Sequence, residues 1–279
     1  MTERDNREQV QSWGEAGPAW VRQQERIDAQ MAPHAERALA LAEPAPGERV
    51  ADVGCGCGTT TLLLAERVGA AGSALGVDVS PPMLEHARRR ARSRGLSNVR
   101  FVEGDAQTFA LESPVDLVFS RFGVMFFAAP EVAFRNLRSW LAPDGRLTFV
   151  CWQARERNPW ISVPARAAGE FVTMPDPPGP GAPGMFSLAD ETQLRLVLSK
   201  AGFRDVEILG EEIPIRPQGG SAEEAAALFM DIGPVPGALT AAGADADLRR
   251  RVRERMVTMF EEHAGPRGVE LDSAVWIVR

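Results

Sequence analysis

Between Arg49 and Val68 the chain runs from a short apolar strand, Arg49-Val-Ala-Asp-Val53, through Gly54-Cys-Gly-Cys-Gly58 and directly into a helix, Thr59 to Val68. Glycines at alternate positions let the backbone turn tightly, leave it bare for close approach, and aim free N–H groups at whatever lies over the turn. A strand and a helix joined so closely must pack on each other, which makes a strand–helix unit the repeating element. The unit recurs. Strands are predicted at Ala74–Val79, Val99–Glu103, Val115–Ser120 and Arg146–Cys151. Ser80 is expected to cap a helix that opens on Pro81, and a further helix runs from Pro130 to Leu141. Pro143-Asp-Gly145 reads as a turn into the fifth strand. Short apolar strands alternating with helices define a doubly wound α/β sheet, mostly parallel, whose ligand sits beyond the C-terminal strand ends.

The flanks follow other patterns. Residues 7–42 are helical by the spacing of Trp13, Trp20, Ile27, Met31, Leu39 and Leu41, and Glu43-Pro-Ala-Pro-Gly47 ends that region. Residues 174–184 are too rich in proline and glycine for a helix or a central strand, and read as a lid edge or a surface connector. Asp190–Gly202 is predicted helical and Val206–Ile215 a strand. Residues 221–263 read as helix interrupted by Gly233-Pro-Val-Pro-Gly237, before a final strand, Ser273–Val278.

Composition narrows the function. A net charge of −7 disfavours nucleic acid, whose phosphates call for clustered cations. The arginine runs Arg88–Arg92 and Arg249–Arg251 lie beside acidic residues and read as solvated helix faces. No apolar run is long enough to span a bilayer, and the polar start lacks the apolar core of a secretory signal. Cys55, Cys57 and Cys151 do not make a disulfide framework, so a cytoplasmic protein is expected. Cys55 and Cys57 alone fall short of a four-ligand metal site. The chain has no tyrosine, which removes one common acid/base type.

Two acids add specificity to the glycine turn. Asp78 ends the second strand twenty residues after Gly58, where a carboxylate can take both hydroxyls of an adenosine ribose. Asp105 and Ala106, inside Gly104-Asp-Ala-Gln107, follow the third strand, where a carboxylate and an N–H can read an adenine edge. The glycine spacing is G-x-G-x-G with Asp52 two residues ahead, not the G-x-G-x-x-G of dinucleotide enzymes.

In these segments the sequence resembles class I S-adenosylmethionine-dependent methyltransferases, nearest the quinone-biosynthesis and natural-product small-molecule type. Asp52-Val-Gly-Cys-Gly-Cys-Gly58 is similar to their first motif, Val77-Asp78-Val-Ser80 to their second-strand acid, and Gly104-Asp105-Ala106 to their adenine motif. Leu141-Ala-Pro-Asp-Gly-Arg-Leu147 is similar to the turn before their fifth strand. The resemblance implies a Rossmann-like sheet with an antiparallel last strand and a helical cap. It divides the chain into an N-terminal cap at 1–44, a cofactor-binding domain at 45–216, a helical cap insertion at 217–265 and a final core strand at 266–279. It also implies that Gly54, Gly56 and Gly58 pass under the methionine, that Asp52 orients the loop and the amino group, and that Asp78 takes the ribose. Val79 and Met83 would pack on the adenosine, Asp105 and Ala106 would contact adenine, and Ser120 and Arg121 would face the methionine and acceptor.

Methyl transfer from a sulfonium needs in-line positioning and exclusion of water more than a catalytic dyad. His34 and His263 are the candidates for a general base, while His86 is expected on the surface. Trp13, Trp20, Trp152 and Trp160 are candidate pocket walls. The free edge of the sheet is expected to be covered by the N-terminal helices, the Trp152–Gly184 connection and residues 217–265, which also carry Phe186, Phe229 and Met230. The expected substrate is a small hydrophobic or aromatic molecule, the expected assembly a monomer or homodimer, and oxygen, nitrogen and carbon acceptors all stay open. A peptide-modifying methyltransferase, a non-catalytic cofactor-binding protein and a nicotinamide-dependent oxidoreductase are the rival readings. Glycine spacing and the missing tyrosines argue against the last.

Overall fold

The computed structural model describes residues 6–176, 178–179 and 181–279. Two helices, α1 (Arg7–Arg22) and α2 (Gln24–Ala42), precede the alternating core. The core begins β1 (Arg49–Val53), α3 (Thr59–Val68), β2 (Ser73–Asp78), α4 (Pro81–Ser93) and β3 (Val99–Glu103). It continues with β4 (Val115–Arg121), a single 3-10 turn (Val124–Phe126), α5 (Pro130–Trp140) and β5 (Leu141–Trp152). Then come α6 (Pro159–Gly169), α7 (Glu191–Ala201), β6 (Ile208–Glu212), α8 (Ala222–Phe229), α9 (Pro234–Ala241) and α10 (Ala246–Glu261). A two-residue hairpin, β7 (Ala264–Gly265) and β8 (Gly268–Val269), leads to β9 (Ala274–Val278).

The seven-stranded sheet has the order β3-β2-β1-β4-β5-β9-β6. β9 runs antiparallel to both β5 and β6, and the pairs among β1 to β5 are parallel, as expected for a Rossmann-like sheet. β1 is buried from Val50 to Val53, which is why those four positions are apolar apart from Asp52, while exposed Arg49 opens the strand. Order reverses between β1 and β4: the chain winds to β2 and β3 on one side and to β5 on the other. A crevice must open at that point.

α2 docks through a single apolar face, Ile27, Met31, Ala35, Ala38, Leu39 and Ala42, against β4, β5 and β9. Its C-terminal carbonyls, orphaned by the helix end, are taken by one guanidinium: Arg146 donates from Nε to the Ala42 carbonyl at 2.7 Å and from Nη2 to that of Glu43 at 2.8 Å. A small buried cluster of Cys55, Leu62, Leu84, Ala87, Ala91 and Phe101 joins α3 and α4 to the sheet, and a much larger one runs from α2 through the sheet to α8, α9 and α10. Among the described residues no helix is long and apolar enough to cross a membrane.

Several local expectations are corrected. Ser80 occupies the N-cap of α4 without a side-chain cap bond, because α1 closes over it; its buried Oγ has no partner. The 221–263 stretch is interrupted as expected, but the break lies at 230–233, and Pro234-Val-Pro-Gly237 itself starts α9, with Pro234 in the first turn where its missing N–H costs nothing. β5 begins at Leu141, so Pro143-Asp-Gly145 forms an irregularity between the Val115↔Leu141 and Leu117↔Arg146 pairs. The Arg88–Arg92 run is not wholly solvated, since the Arg90 side chain is only 16% exposed against Asp28. His86 is half-buried, its Nε2 3.1 Å from Gln24 Oε1 of α2.

α1 crosses α4 at Gly17, where an added Cβ would lie 2.4 Å from Ser80 Oγ and 2.6 Å from Pro82 Cγ. One turn earlier, Gly14 has nothing within 4 Å of that position. Gly14→Ala should therefore stabilise the protein by up to about 1 kcal/mol through helix propensity. Gly17→Ala should destabilise it by about 1–3 kcal/mol through overpacking against the rigid proline ring. Urea unfolding of the two variants checks the pair, and equal effects would remove the tight crossing.

Candidate cofactor and acceptor site

The glycines of the turn are required for two different reasons. Gly54, Gly56 and Gly58 all have positive φ, at 66°, 53° and 82°. A Cβ on Gly54 would sit 2.7 Å from Gly123 Cα, and one on Gly58 would sit 2.8 Å from Ala87 Cβ. These two serve packing as well as the turn. Gly56 is different, for its nearest neighbour would be Met83 Sδ at 3.7 Å, so it leaves bare backbone facing open space.

Two carboxylates hold the turn. Asp78 accepts from the Gly56 N–H at 2.7 Å and the Ser80 N–H at 2.9 Å. Asp52 is fully buried, and its Oδ2 accepts from Thr60 Oγ1 at 2.7 Å and Thr61 Oγ1 at 2.6 Å. Its Oδ1 has no partner. Burial raises the Asp52 carboxyl to about 6, the two threonine hydroxyls and Arg121 pulling the other way. A buried, unpaired carboxylate oxygen costs about 1–3 kcal/mol.

Above the turn lies a cavity of about 390 Å³. Of the expected cofactor residues, Gly54, Gly56, Asp78, Val79, Met83, Asp105, Ala106 and Arg121 line it. All four expected tryptophans, Trp13, Trp20, Trp152 and Trp160, line it as well, with Phe229 from α8. Trp160 is aimed by a bond from its Nε1 to Asn158 Oδ1 at 3.1 Å. The rings run in series: Phe122 stacks on Trp152 at 4.1 Å, and Trp152 lies 4.7 Å from Trp160.

Other expected residues lie elsewhere. Asp52 and Gly58 sit beneath the loop rather than on the wall. The Ser120 hydroxyl is turned away, donating to the Val53 carbonyl at 2.8 Å and accepting from the Gly123 N–H, so it ties β4 to β1. His34 is fully buried between Phe122 and Trp152, with Nε2 3.0 Å from Ser273 Oγ, and does not reach the cavity. His263 lies past the end of α10, also outside it. Neither histidine is placed to act as a general base. Phe186 and Met230 pack on the core, and Met185 takes the wall position instead. The proline-rich segment ends against the 3-10 turn, with Gly184 N–H donating to the Met125 carbonyl at 3.1 Å; Pro177 and Pro180 lie outside the described residues.

The N-terminal helices contribute polar groups that no motif announced. Asp28 of α2 accepts at Oδ2 from Thr59 Oγ1 at 2.6 Å and Arg90 Nη2 at 3.0 Å, and from Gln24. Its Oδ1 lies 3.8 Å from Arg121 Nη2. Asn6 donates to Asp105 Oδ1 at 3.0 Å, and that same oxygen accepts from the Gln107 N–H at 3.0 Å. Asp105 is therefore both a turn cap and a wall residue. Gln23 donates to Asp231 in the segment between α8 and α9, joining the N-terminal helices to the cap.

Comparison with known proteins agrees with this geometry. Residues 50–145 match the methyltransferase domain family. Nocamycin O-methyltransferase of Saccharothrix syringae is 31% identical over 200 residues, 68% of this chain and 71% of that protein. Aklanonic acid methyltransferase DauC of Streptomyces sp. (strain C5) is 38% identical over 120 residues, 42% of this chain and 54% of that one. Demethylmenaquinone methyltransferase of Thermus thermophilus is 42% identical over 115 residues, 41% of this chain and 51% of that one. The chain thus spans about half the length of the latter two. The crystal structure of the YcgJ protein from Bacillus subtilis shares the fold, with a TM-score of 0.55 at 19% identity over 87% of this chain and 97% of that one. The chain belongs to the S-adenosylmethionine-dependent methyltransferases, and its relatives include enzymes named for nocamycin, aklanonic acid and demethylmenaquinone.

His34 yields a test of the packing behind the site. Burial, reinforced by the charge of Arg121, pushes it down from 6.5 to about 4. Between those pH values the unfolded chain binds a proton that the folded one refuses, so stability falls as pH drops through the window. Urea unfolding of wild type against His34→Phe should show wild type losing up to about 3 kcal/mol relative to the variant between pH 6.5 and pH 4. A constant difference across that range would contradict the burial.

Proposed function

We propose that this protein transfers a methyl group from S-adenosylmethionine to a small metabolite with an apolar, ring-containing body. One observation carries the reading: the glycine turn and the Trp152–Trp160–Phe229 wall face a single cavity, so donor and acceptor ends are continuous. The cofactor fits the residues present. Gly56 offers bare backbone, Asp52 offers an unpaired buried oxygen, and Asp78 and Asp105 are carboxylates on the wall.

Asp78 keeps a lone pair beyond its bonds from the backbone of Gly56, Val79 and Ser80 and takes the ribose hydroxyls. Asp105 and Ala106 read the adenine edge, and Val79 and Met83 cover the adenosine. Asp52 places negative charge under the amino group. Bound S-adenosylmethionine supplies an electrophilic methyl group whose leaving group is a neutral thioether. The chain's own work is then to hold the acceptor in line and keep water out, and positioning of that kind supplies about 7–11 kcal/mol of the barrier. Trp13, Trp20 and Phe126, from α1 and the 3-10 turn, pack edge to face with centroids 5.4 and 4.9 Å apart and form the water-excluding side. Relatives named for aklanonic acid, nocamycin and demethylmenaquinone support a natural-product or quinone-type acceptor.

The test is to incubate the protein with methyl-tritiated S-adenosylmethionine and separate fractions of metabolite and peptide extract. Label should move into organic-soluble small molecules. Label in peptides, or failure of wild type to bind S-adenosylhomocysteine in calorimetry, overturns the reading.

The Asp52 carboxyl adds a pH dependence. Thr60, Thr61, Arg121 and Asp78 surround it, and it titrates near 6. Below that value, keeping negative charge beneath the ligand ammonium requires loss of a proton, so affinity for S-adenosylhomocysteine should fall by up to about tenfold per pH unit between pH 6 and pH 5. It should level off above pH 7, and Asp52→Asn should flatten the curve. A wild-type affinity that is constant from pH 5 to pH 8 would remove Asp52 from the amino group.

A further inference from the structure

Resting on the methyl-transfer reading, we propose that the acceptor is an organic acid already ionised at neutral pH, a ring-bodied carboxylate whose anionic group pairs with Arg121. Arg121 is the only cationic side chain on the cavity wall among the described residues. It is 14% exposed, and its Nη1 is buried without a partner. The nearest carboxylate, Asp28, lies 3.8 Å from the other nitrogen, beyond hydrogen-bond distance, and Asp28 Oδ2 is occupied by Arg90, Thr59 and Gln24. A buried guanidinium with a free N–H is an expensive arrangement unless an anion completes it.

Its place points to the acceptor. Arg121 ends β4, and the next residue, Phe122, stacks on Trp152, where the aromatic wall begins. Phe122 is held at φ 63°, a left-handed conformation rare outside glycine, which sets Arg121 between the glycine turn and that wall.

The chemistry of the wall narrows the acceptor further. Its titratable groups besides Arg121 are Asp28, Cys55, Cys57, Asp78 and Asp105. Burial pushes the Cys57 thiol up to about 12 and Cys55 well above its ordinary value, so neither is a thiolate at neutral pH. Asp78 and Asp105 are given to the ribose and the adenine by the methyl-transfer reading, and Asp28 is held at Oδ2 by Thr59, Arg90 and Gln24 with its Oδ1 3.8 Å from Arg121. No group stands free to remove a proton from an alcohol or an ordinary phenol. An ammonium is disfavoured beside Arg121. A carboxylate meets both conditions. Its oxygen lone pair forms the new O–CH₃ bond as the C–S bond breaks and that pair moves to sulfur. An anion and a sulfonium become a neutral ester and a neutral thioether, and no proton moves.

The charged and titratable groups around Arg121 are Asp28, Asp52, Arg90, Cys57 and His34. Above pH 7 His34 is neutral and Asp52 ionised, so the pH dependence of acceptor turnover from pH 7 to pH 9 should be flat.

Calorimetry with wild type saturated in S-adenosylhomocysteine should compare carboxylates of one to four fused rings with their matched carboxamides. The best acid should bind at least tenfold more tightly than its amide. Arg121→Gln should lower acid affinity about 10- to 100-fold and leave the amide unchanged. Wild-type selectivity is read without any substitution, so a poorly folded variant does not spare the proposal. With S-adenosylmethionine, mass spectrometry should show the methyl ester of the same acid. Amides binding as well as acids, no pair binding at all, or Arg121→Gln costing the cofactor as much as the acid overturns the assignment. Failure of wild type to bind S-adenosylhomocysteine would instead sink the methyl-transfer reading beneath it.

Discussion

The site depends on how closely the ends of β1 and β4 approach each other. Gly54 and Gly123 meet so tightly that a Cβ on either would fall within 3 Å of the other's Cα. Ser120 locks the approach by bonding the Val53 carbonyl and receiving the Gly123 N–H. The chain winds away from this pair in both directions, so the crevice above it is a consequence of topology. What the close approach adds is aim. It forces Phe122 into a left-handed conformation that costs on the order of 1–3 kcal/mol, offset by its stack on Trp152.

Charge placement is the second consequence. Asp52, Asp78, Asp28, Arg90 and Arg121 are gathered within reach of one short loop, with little solvent to screen them. Isolated, each would carry a desolvation penalty of several kcal/mol. Hydrogen bonds from Thr59, Thr60, Thr61 and the loop backbone satisfy most of their valences. The valences left over are Asp52 Oδ1 and Arg121 Nη1, one anionic and one cationic. A site with one open position of each sign is matched to ligands that bring both charges, and it resists closing around water alone.

The two halves of the site differed in how readable they were. The cofactor half is written in contiguous segments: a turn of alternating glycines and the acids that follow the strands carry their meaning in local backbone geometry. Even there, hydroxyls misled. Ser80 reads as a side-chain cap and Ser120 as a cavity group, but Ser80 Oγ is buried without a partner under Gly17 of α1 and Ser120 bonds the Val53 carbonyl. Asp28 and Asn6 had no local signal at all. Their roles exist only once α1 and α2 dock over α4, and nothing in a lone acid on a helix distinguishes that outcome from solvent exposure. The tryptophans were legible as candidates because large rings rarely stay in water, but their order along the wall is a tertiary fact. His34 failed as a candidate for the same reason, since burial was invisible until Phe122 and Trp152 enclosed it.

This division has a physical origin. The family match covers residues 50–145, yet Trp13, Trp20, Trp152, Trp160 and Phe229 all fall outside it. A shared cofactor can be read by backbone N–H groups and carboxylates at strand ends, which any sequence with the right turns will present. An acceptor must be read by the shape and charge of the remaining walls, and here those come from both ends of the chain. Gln23 to Asp231 and Asn6 to Asp105 tie these ends to each other and to the adenine loop. The acceptor wall therefore cannot form independently of the cofactor wall, because α1 is fastened at one end to each. Arg121 is where they join: it belongs to the matched core by position and lies on the cavity wall next to Phe122, which stacks on Trp152.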